Sequence, residues 1–202
     1  YIDALIASSE GSREGALELA ERAVEQYEEL RDAKPGGEVL EGLVTALNLV
    51  GVVHRQSGRY ADALEAYERA LGYADGADLK KNRRYLLTNA GVAHAYLGEF
   101  NKALDCYEEA LLQCKRLGHR REEAGLLVNV GHAHLLRGDV ETAVSTIRRG
   151  NYLARKTNTH HILADGLISL GACYVEEGDM SKAESTLQEG LRIADSIPNV
   201  YL

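Results

Sequence analysis

Apolar and polar residues follow one another along this chain with the three- and four-residue spacing of amphipathic helices. In residues 60–71 the apolar positions are Tyr60, Ala63, Leu64, Tyr67, Ala70 and Leu71. These positions share one face of an α-helix, while Asp62, Glu65 and Glu68 share the opposite face. The pattern predicts a helix that buries one stripe and leaves the other face in water.

The same pattern returns every 40 residues, because three series of small residues keep that step. The series are Gly51, Gly91, Gly131 and Gly171; Gly58, Gly98, Gly138 and Gly178; and Ala63, Ala103, Ala143 and Ala183. Each period reads as a helix, a tight turn and a second helix. Leu, Ala and Glu are the most frequent residue types and Pro occurs twice, which favours helix throughout and predicts an all-α fold.

The glycine series predict two different structural roles. A glycine inside a helix costs about 1 kcal/mol relative to alanine. We therefore expect Gly131 to let the first helix lie close against the second, near Ala143. Gly138 is expected to end the first helix in the left-handed conformation. Asp139, with its counterparts Glu99 and Asp179, would then begin the second helix, where negative charge meets the positive end of the helix dipole.

The repeat divides the chain into units within a single domain, 1–202. Four complete units are predicted at 38–78, 79–118, 119–158 and 159–197, followed by a tail at 198–202. A partial unit occupies 1–37, because GSREGALELAERAV at 11–24 matches GRYADALEAYERAL at 58–71 with an offset of 47. The first ten residues would be a remnant of that unit's first helix. The chain does not begin with Met, which predicts that it belongs to a longer protein.

This repeat resembles the tetratricopeptide repeat family. In the third unit the matching positions are Leu127, Val130, Gly131, His134, Gly138, Val140, Ala143, Ile147 and Gly150. The resemblance covers about 11–197, with a unit longer than the usual repeat of about 34 residues. It is similar in this to a subgroup that includes Pins-type adaptors, kinesin light chains and bacterial regulators. The resemblance implies a right-handed α-α solenoid of about five stacked helix pairs.

The resemblance also implies a binding surface, since the first helices of such units line a concave face that takes an extended peptide or partner protein. The candidate residues are Asn48, Arg55, Tyr85, Asn89, Val92, Tyr96, Asn129, His132, Leu136, Asp165, Ser169 and Glu176. Asn89 and Asn129 stand where the subgroup carries an asparagine ladder, and Ser169 is a shorter polar substitute. In the first full unit Asn48 is one residue out of register. The alternative is that Asn89 and Asn129 only satisfy neighbouring helices.

Histidine and cysteine residues do not predict a metal site. His132 and His134 are two residues apart, which points them about 200° from each other on a helix. His134 shares the family's Tyr position with His54, His94 and Tyr174, and we expect these side chains to be packed and hydrogen-bonded. His161 and Asp165 lie one turn apart without a third ligand. Cys106, Cys114 and Cys173 lack zinc spacing and are predicted to be small core side chains in a reducing, cytoplasmic setting.

The net charge and the positions of the basic residues bear on which partners are expected. A net charge of −8 argues against general affinity for nucleic acid and for anionic membranes, and no run approaches 18 apolar residues. Basic residues still gather near the turns between units: Lys80, Lys81, Arg83 and Arg84; Lys115, Arg116, Arg120 and Arg121; Arg155 and Lys156. Some of them would complement helix carboxyl ends, and the alternative is a positive edge for an acidic partner. Carboxylate pairs such as Glu122 and Glu123 are predicted to be solvated.

The sequence contains no nucleotide-binding loop or catalytic motif. We therefore predict a non-catalytic interaction scaffold without a cofactor or a metal, whose partner is a protein or peptide. Two alternatives stay open. One is a regulatory or sensor segment of a multidomain protein whose activity lies outside this chain. The other is a solenoid that self-associates through its apolar C-terminal end, residues 197–202.

Overall fold

The computed structural model describes residues 13–34, 36–76 and 79–197, which form nine α-helices and no strand. The helices are α1 (Arg13–Ala33), α2 (Gly37–Gln56), α3 (Tyr60–Gly76), α4 (Lys80–Tyr96), α5 (Phe100–Leu117), α6 (Arg120–Arg137), α7 (Val140–Lys156), α8 (His160–Glu176) and α9 (Met180–Asp195). The predicted all-α fold is confirmed. The chain forms two compact units, Tyr1–Leu97 and Gly98–Leu202.

Helix α2 is the centre of the first unit, where it packs against α1, α3 and α4. Its side chains Leu43, Ala46 and Leu47 are at most 1% exposed. By length and composition, α2 is the one described helix that could also cross a membrane, with 44% of its apolar window buried inside the protein. A core helix has the same composition, and the packing around α2 accounts for its apolar character.

The second unit contains α5 to α9, in which α7 packs against both α6 and α8, and α9 packs against α8. One cluster of buried side chains joins α7, α8 and α9 through Ile147, Cys173 and Ala183. Another joins α6, α7 and α8 through Ala124, Ala154 and Leu163. Each helix therefore buries its apolar stripe only when its neighbours are stacked on it, as expected for a repeat protein.

Glycines inside the first helices allow the close packing that the sequence predicted. A side chain at Gly131 would overlap Ile147 and lie 3.2 Å from the Ala143 carbonyl oxygen. A side chain at Gly171 would lie 2.6 Å from Leu187. The expected neighbour Ala143 is confirmed, and Ile147 is closer still. Backbone-to-side-chain packing therefore offsets the low helix propensity of glycine at these positions.

The turns inside the repeat are also as predicted, since Gly58, Gly98, Gly138 and Gly178 all have φ between 75° and 91°. Residues other than glycine adopt this left-handed conformation only at an energetic cost. A second series, Gly118 and Asn158, was not predicted; these residues follow α5 and α7 and have φ of 69° and 51°. The 40-residue step between them was the available signal, because Asn tolerates the left-handed region better than most residues.

Each of the four predicted complete units contains two helices, and α2 begins at Gly37, one residue before the predicted bound of its unit. The bounds of the units themselves remain predictions. The first and second helices of the four units are α2 and α3, α4 and α5, α6 and α7, and α8 and α9. Helix α1 is the second helix of the partial unit. The predicted remnant helix at residues 1–10 and the tail 198–202 lie outside the described residues. The right-handed path and the single domain remain predictions, as does self-association through residues 197–202.

Candidate functional site

The predicted binding residues lie on the first helices, α2 and α4 of the first unit and α6 and α8 of the second. In the first unit, Asn89 Nδ2 donates a hydrogen bond to Asn48 Oδ1 over 2.9 Å, and both residues are half-buried. Asn48 therefore contacts Asn89 of the predicted asparagine ladder, although Asn48 is one residue out of register. This contact also gives Asn89 the structural role that the sequence left open as an alternative.

Two tyrosines of α4 remain exposed beside this pair. The ring of Tyr96 stacks on Tyr60 with centroids 4.9 Å apart, and 53% of Tyr96 stays accessible. Tyr85 is 45% exposed and lies 5.1 Å from the guanidinium of Arg84. Intrachain contacts thus hold both rings in position while leaving apolar area for a partner. Val92, in the same helix, is half-buried.

Arg55 is half-buried near the end of α2, and its Nε has no hydrogen-bond partner in the described residues. It lies beside Tyr67, whose hydroxyl is also buried without a partner. Burial raises the pKa of Tyr67, and the positive charge of Arg55 opposes that rise. Tyr67 is therefore a neutral core side chain rather than an ionisable group of the binding face.

In the second unit, Asn129 of α6 and Ser169 of α8 occupy the same repeat position and are half-buried. Neither side chain has a hydrogen-bond partner within the part of the chain that the structure describes. Leu136 is 43% exposed. His132 is half-buried, and burial lowers its pKa, which keeps the ring neutral. This face therefore presents uncharged hydrogen-bonding groups beside an apolar anchor.

Acidic residues border the same face on α8, where Asp165 and Glu176 are exposed. Partial desolvation raises the pKa of Asp165, and the nearby His161 acts in the opposite direction. Across the described ranges, no group of three or more His, Cys, Asp or Glu side chains is placed to hold a metal ion.

The cysteines are placed largely as predicted. Cys114 and Cys173 are buried and Cys106 is half-buried, and none of the three forms a disulfide. Burial raises the pKa of Cys173 to about 11, so that its thiol stays protonated near neutral pH. Because the thiolate is the nucleophile, Cys173 is a core side chain and not a reactive group.

The basic residues near the turns do not form a uniform positive edge. Arg83 pairs with Asp75 at 2.6 Å, Arg120 with Glu123 at 2.9 Å, and Arg155 with Glu189 at 2.7 Å. These pairs neutralise three of the arginines that the sequence grouped at these positions. The exposed pairs Arg83–Asp75 and Arg155–Glu189 stabilise a fold little, but they remove net charge from the surface.

Glu123, which was predicted to be solvated, is buried, and so is Arg84, one of the basic residues near the turns. Arg84 is 3% exposed and Glu123 is 4% exposed. The repeat carried a signal for both. Arg84 stands in register with Ala124 and Ala164, and Glu123 with Leu43 and Leu163, and those four positions are core positions.

The family's Tyr position differs between the units. Tyr174 is 5% exposed and accepts a hydrogen bond from Arg148 over 2.7 Å, which confirms the expected packed and bonded side chain. His134 is half-buried, with Arg137 at 3.2 Å from its Nδ1. At His54 the expectation is wrong, because the Nδ1 atom is buried without a partner.

Comparisons with known proteins agree with this architecture. Models of the tetratricopeptide repeat match residues 44–76 and 86–121. No curated protein matches the sequence. Among solved structures, BtubC from P. vanneervenii is 22% identical, with 94% of this chain and 95% of that chain covered and a TM-score of 0.66.

Two similar structures belong to larger proteins. A Rap protein complexed with competence and sporulation factor is 19% identical, with 85% of this chain and 48% of that chain covered and a TM-score of 0.72. A signal transduction ATPase with a tetratricopeptide repeat sensor, from Pyrococcus horikoshii, is 19% identical, with 93% of this chain and 28% of that chain covered and a TM-score of 0.69. At these identities the likeness shows the fold. The period, the helix pairs and the two repeat models agree, and the chain contains tetratricopeptide repeats over residues 44–76 and 86–121.

Proposed function

We propose that this chain is a non-catalytic scaffold that binds an extended peptide or a segment of a partner protein on the face of its first helices. The repeat family and the fold support an interaction scaffold in general terms. Half-buried polar side chains form one row in each unit, Asn48 with Asn89 in the first and Asn129 with Ser169 in the second, and these rows support the finer proposal.

The spacing of each row suits an extended backbone. Packed helices lie about 8 to 10 Å apart, and an extended chain advances about 3.3 Å per residue. A peptide crossing the two first helices of either unit would therefore place residues three positions apart opposite its two polar side chains. An amide both donates and accepts, so each rung can satisfy a peptide group that leaves water on binding. One N–H of the Asn89 amide donates to Asn48, and the carbonyl oxygen of the same amide is left to accept a hydrogen bond from the peptide.

Exposed apolar side chains near these rows would anchor the partner. Tyr85 and Leu136 are each more than 40% exposed, and aromatic or large apolar anchors dominate many protein interfaces. Asp165 and Glu176 add negative charge on α8, which favours a partner with basic residues at that end.

A second function has its own support. The matched Rap protein and the signal transduction ATPase are longer than this chain, which spans 48% and 28% of their lengths. One is complexed with competence and sporulation factor, and the other contains a tetratricopeptide repeat sensor. We accordingly keep a sensor segment of a multidomain protein as the alternative. For either function we propose a reducing, cytoplasmic setting, because all three cysteines carry thiols.

The test compares the wild-type chain with an Asn89→Ala/Asn129→Ala variant in affinity capture from a lysate of the source organism, followed by mass spectrometry. Peptides spanning the captured partner are then titrated against both proteins. Asn101→Ala is the matched control, since Asn101 is exposed on the second helix α5. A peptide that binds the wild type and the control but not the double variant supports the proposal. A peptide that binds all three equally contradicts it.

A further inference from the structure

An acidic cleft of about 400 Å³ lies between α1, α2 and α3 in the first unit. Glu21, Glu25 and Glu28 line it from α1, and Asp62 and Glu65 line it from α3. Its floor is apolar, with Val24, Leu47 and Val50 among the lining residues. The proposed peptide face contributes none of its candidate residues to this lining, so the cleft is a separate surface.

The charges of the cleft are poorly compensated within the unit. Arg69 is the one arginine or lysine among the described lining residues, and it pairs with Glu28 at 3.0 Å. Arg59 lies outside the lining and pairs with Asp62 at 3.7 Å. His54 reaches the cleft from α2, and its Nδ1 is buried without a hydrogen-bond partner. Burial and the nearby Arg59 lower the pKa of His54, so the neutral ring can accept a hydrogen bond.

In the second unit, α7, α8 and α9 hold the repeat positions that α1, α2 and α3 hold in the first. An ion pair at the same repeat positions supports this register, although its charges are exchanged. Glu28 pairs with Arg69 at 3.0 Å in the first unit, and Arg155 pairs with Glu189 at 2.7 Å in the second. Residues at matching positions of the two sets of helices can therefore be compared directly.

The first-unit cleft lacks two cations that the second unit has at the matching repeat positions. Arg148 stands at the repeat position of Glu21, and Tyr174 stands at that of His54. Arg148 donates to the Tyr174 hydroxyl over 2.7 Å, so a guanidinium occupies the equivalent place. Lys182, at the position of Asp62, also lies 5.8 Å from the centre of the Tyr174 ring. Where the second unit has two cations, the first has two carboxylates.

A further residue of the second unit, His134, also has an arginine beside the polar atom of its side chain. His134, which is in register with His54, has the guanidinium of Arg137 at 3.2 Å from its Nδ1. Both residues of the second unit at this repeat position therefore have an arginine of their own chain beside the polar atom of the ring. His54 lines the acidic, partly apolar cleft instead, and the arginine near it, Arg59, pairs with Asp62 at 3.7 Å.

We propose that this cleft binds the guanidinium of an arginine side chain from a partner protein. The planar fork of a guanidinium matches paired carboxylates. The apolar floor suits the aliphatic stem of arginine. Free arginine carries its own carboxylate, which five acidic groups would repel, and this favours an arginine within a polypeptide. The proposal does not depend on the peptide face of the first helices.

The binding test uses an acetylated, amidated alanine pentapeptide with arginine at its centre, titrated to about 10 mM, a range that detects contacts of a few kcal/mol. The imidazole resonances of His54 report binding by NMR. We expect saturable shifts with the arginine peptide and none with a citrulline peptide, which keeps the shape and removes the charge. No shift with arginine, or equal shifts with citrulline, would overturn the proposal. Equal binding of free arginine, which carries the α-carboxylate, would overturn the assignment to an arginine within a polypeptide.

Two sets of variants locate the site. Glu21→Gln/Glu65→Gln should weaken binding of the arginine peptide by about fivefold or more, because two exposed carboxylates of the cleft lose their charge. The control is Glu108→Gln, since Glu108 is exposed at the repeat position of Glu21 in the second unit. Unchanged binding in the double variant would contradict the assignment to this cleft.

The second set fills the cleft from within the chain. Glu21→Arg/His54→Tyr recreates the Arg148–Tyr174 pair in the first unit. It should raise the melting temperature and abolish binding of the arginine peptide. Wild-type affinity in this variant, with the fold verified by circular dichroism, would rule the site out.

Discussion

The amide of Asn89 donates to Asn48 Oδ1 over 2.9 Å, although the two residues are 41 positions apart in a chain whose repeat is 40. The extra residue moves Asn48 by about 100° around its helix, yet the long amide side chains still meet. This bond links the first helices of consecutive repeats, α2 and α4. It therefore contributes to the stacking of repeats as well as to the proposed peptide face.

Asn89→Ala should lower the free energy of unfolding by about 1 kcal/mol, because it leaves the half-buried Asn48 carbonyl oxygen without its donor. Urea denaturation followed by circular dichroism measures the change. Asn101→Ala, on an exposed position of α5, is expected to change stability by only a few tenths of a kcal/mol. Equal stability of the Asn89 variant and the wild type would mean that water replaces the bond at no cost.

Gly131→Ala should destabilise the chain by about 2 kcal/mol, since the added methyl group would overlap Ile147 in a packed core. Gly72→Ala provides the opposite case. It lies in α3 with nothing within 4 Å of the added atom, so it should stabilise the chain by about 0.5 to 1 kcal/mol. Thermal unfolding of both variants tests the pair. Stabilisation by both substitutions would contradict the close approach of α6 and α7.

Asn151→Leu should increase stability by about 1 kcal/mol, because both polar atoms of the Asn151 amide are buried without partners in the described residues. Leucine occupies the same repeat position at Leu71, Leu111 and Leu191. Asn151 is 6% exposed in α7 and contacts Gly166 of α8. Denaturant unfolding at one pH is sufficient for the measurement. A loss of stability would indicate that leucine does not fit against Gly166.

The N-cap of α9 predicts a pH dependence. The side chain of Lys182 lowers the pKa of Asp179, and a hydrogen bond from the Lys182 backbone N–H adds to the effect. A carboxylate whose pKa falls on folding stabilises the protein above its unfolded pKa, and this contribution is lost as the pH falls through the folded value. Asp179→Asn should therefore lower the melting temperature at pH 7 but not at pH 2.

Lys182→Gln should reduce the same pH-dependent difference, because it removes the largest cause of the shift and leaves the backbone hydrogen bond. Melting temperatures of the wild type and both variants across the acidic range give the comparison. A constant difference between the wild type and Asp179→Asn at every pH would mean that the charge of Asp179 contributes nothing.

The 40-residue period predicted the nine helices and the turn glycines because those features depend on residues close in the sequence. Buried Arg84 and Glu123 were missed because charge was weighed before repeat position, although the positions in register with them are core positions. The partner of Asn48 and the cleft at His54 depend on side chains from different repeats. Such contacts become predictable only when the helices are placed against one another.

The exchanged ion pairs also bear on how the chain avoids folding into the wrong order. Glu28 of α1 meets Arg69 of α3, whereas Arg155 of α7 meets Glu189 of α9. If α1 and α7 exchanged places, Glu28 would meet Glu189 and Arg155 would meet Arg69. Each native pair is partly exposed and stabilises the fold only weakly, but like charges would repel in the misassembled stack. The two ion pairs, whose charges stand in opposite order, therefore disfavour packing between the wrong second helices.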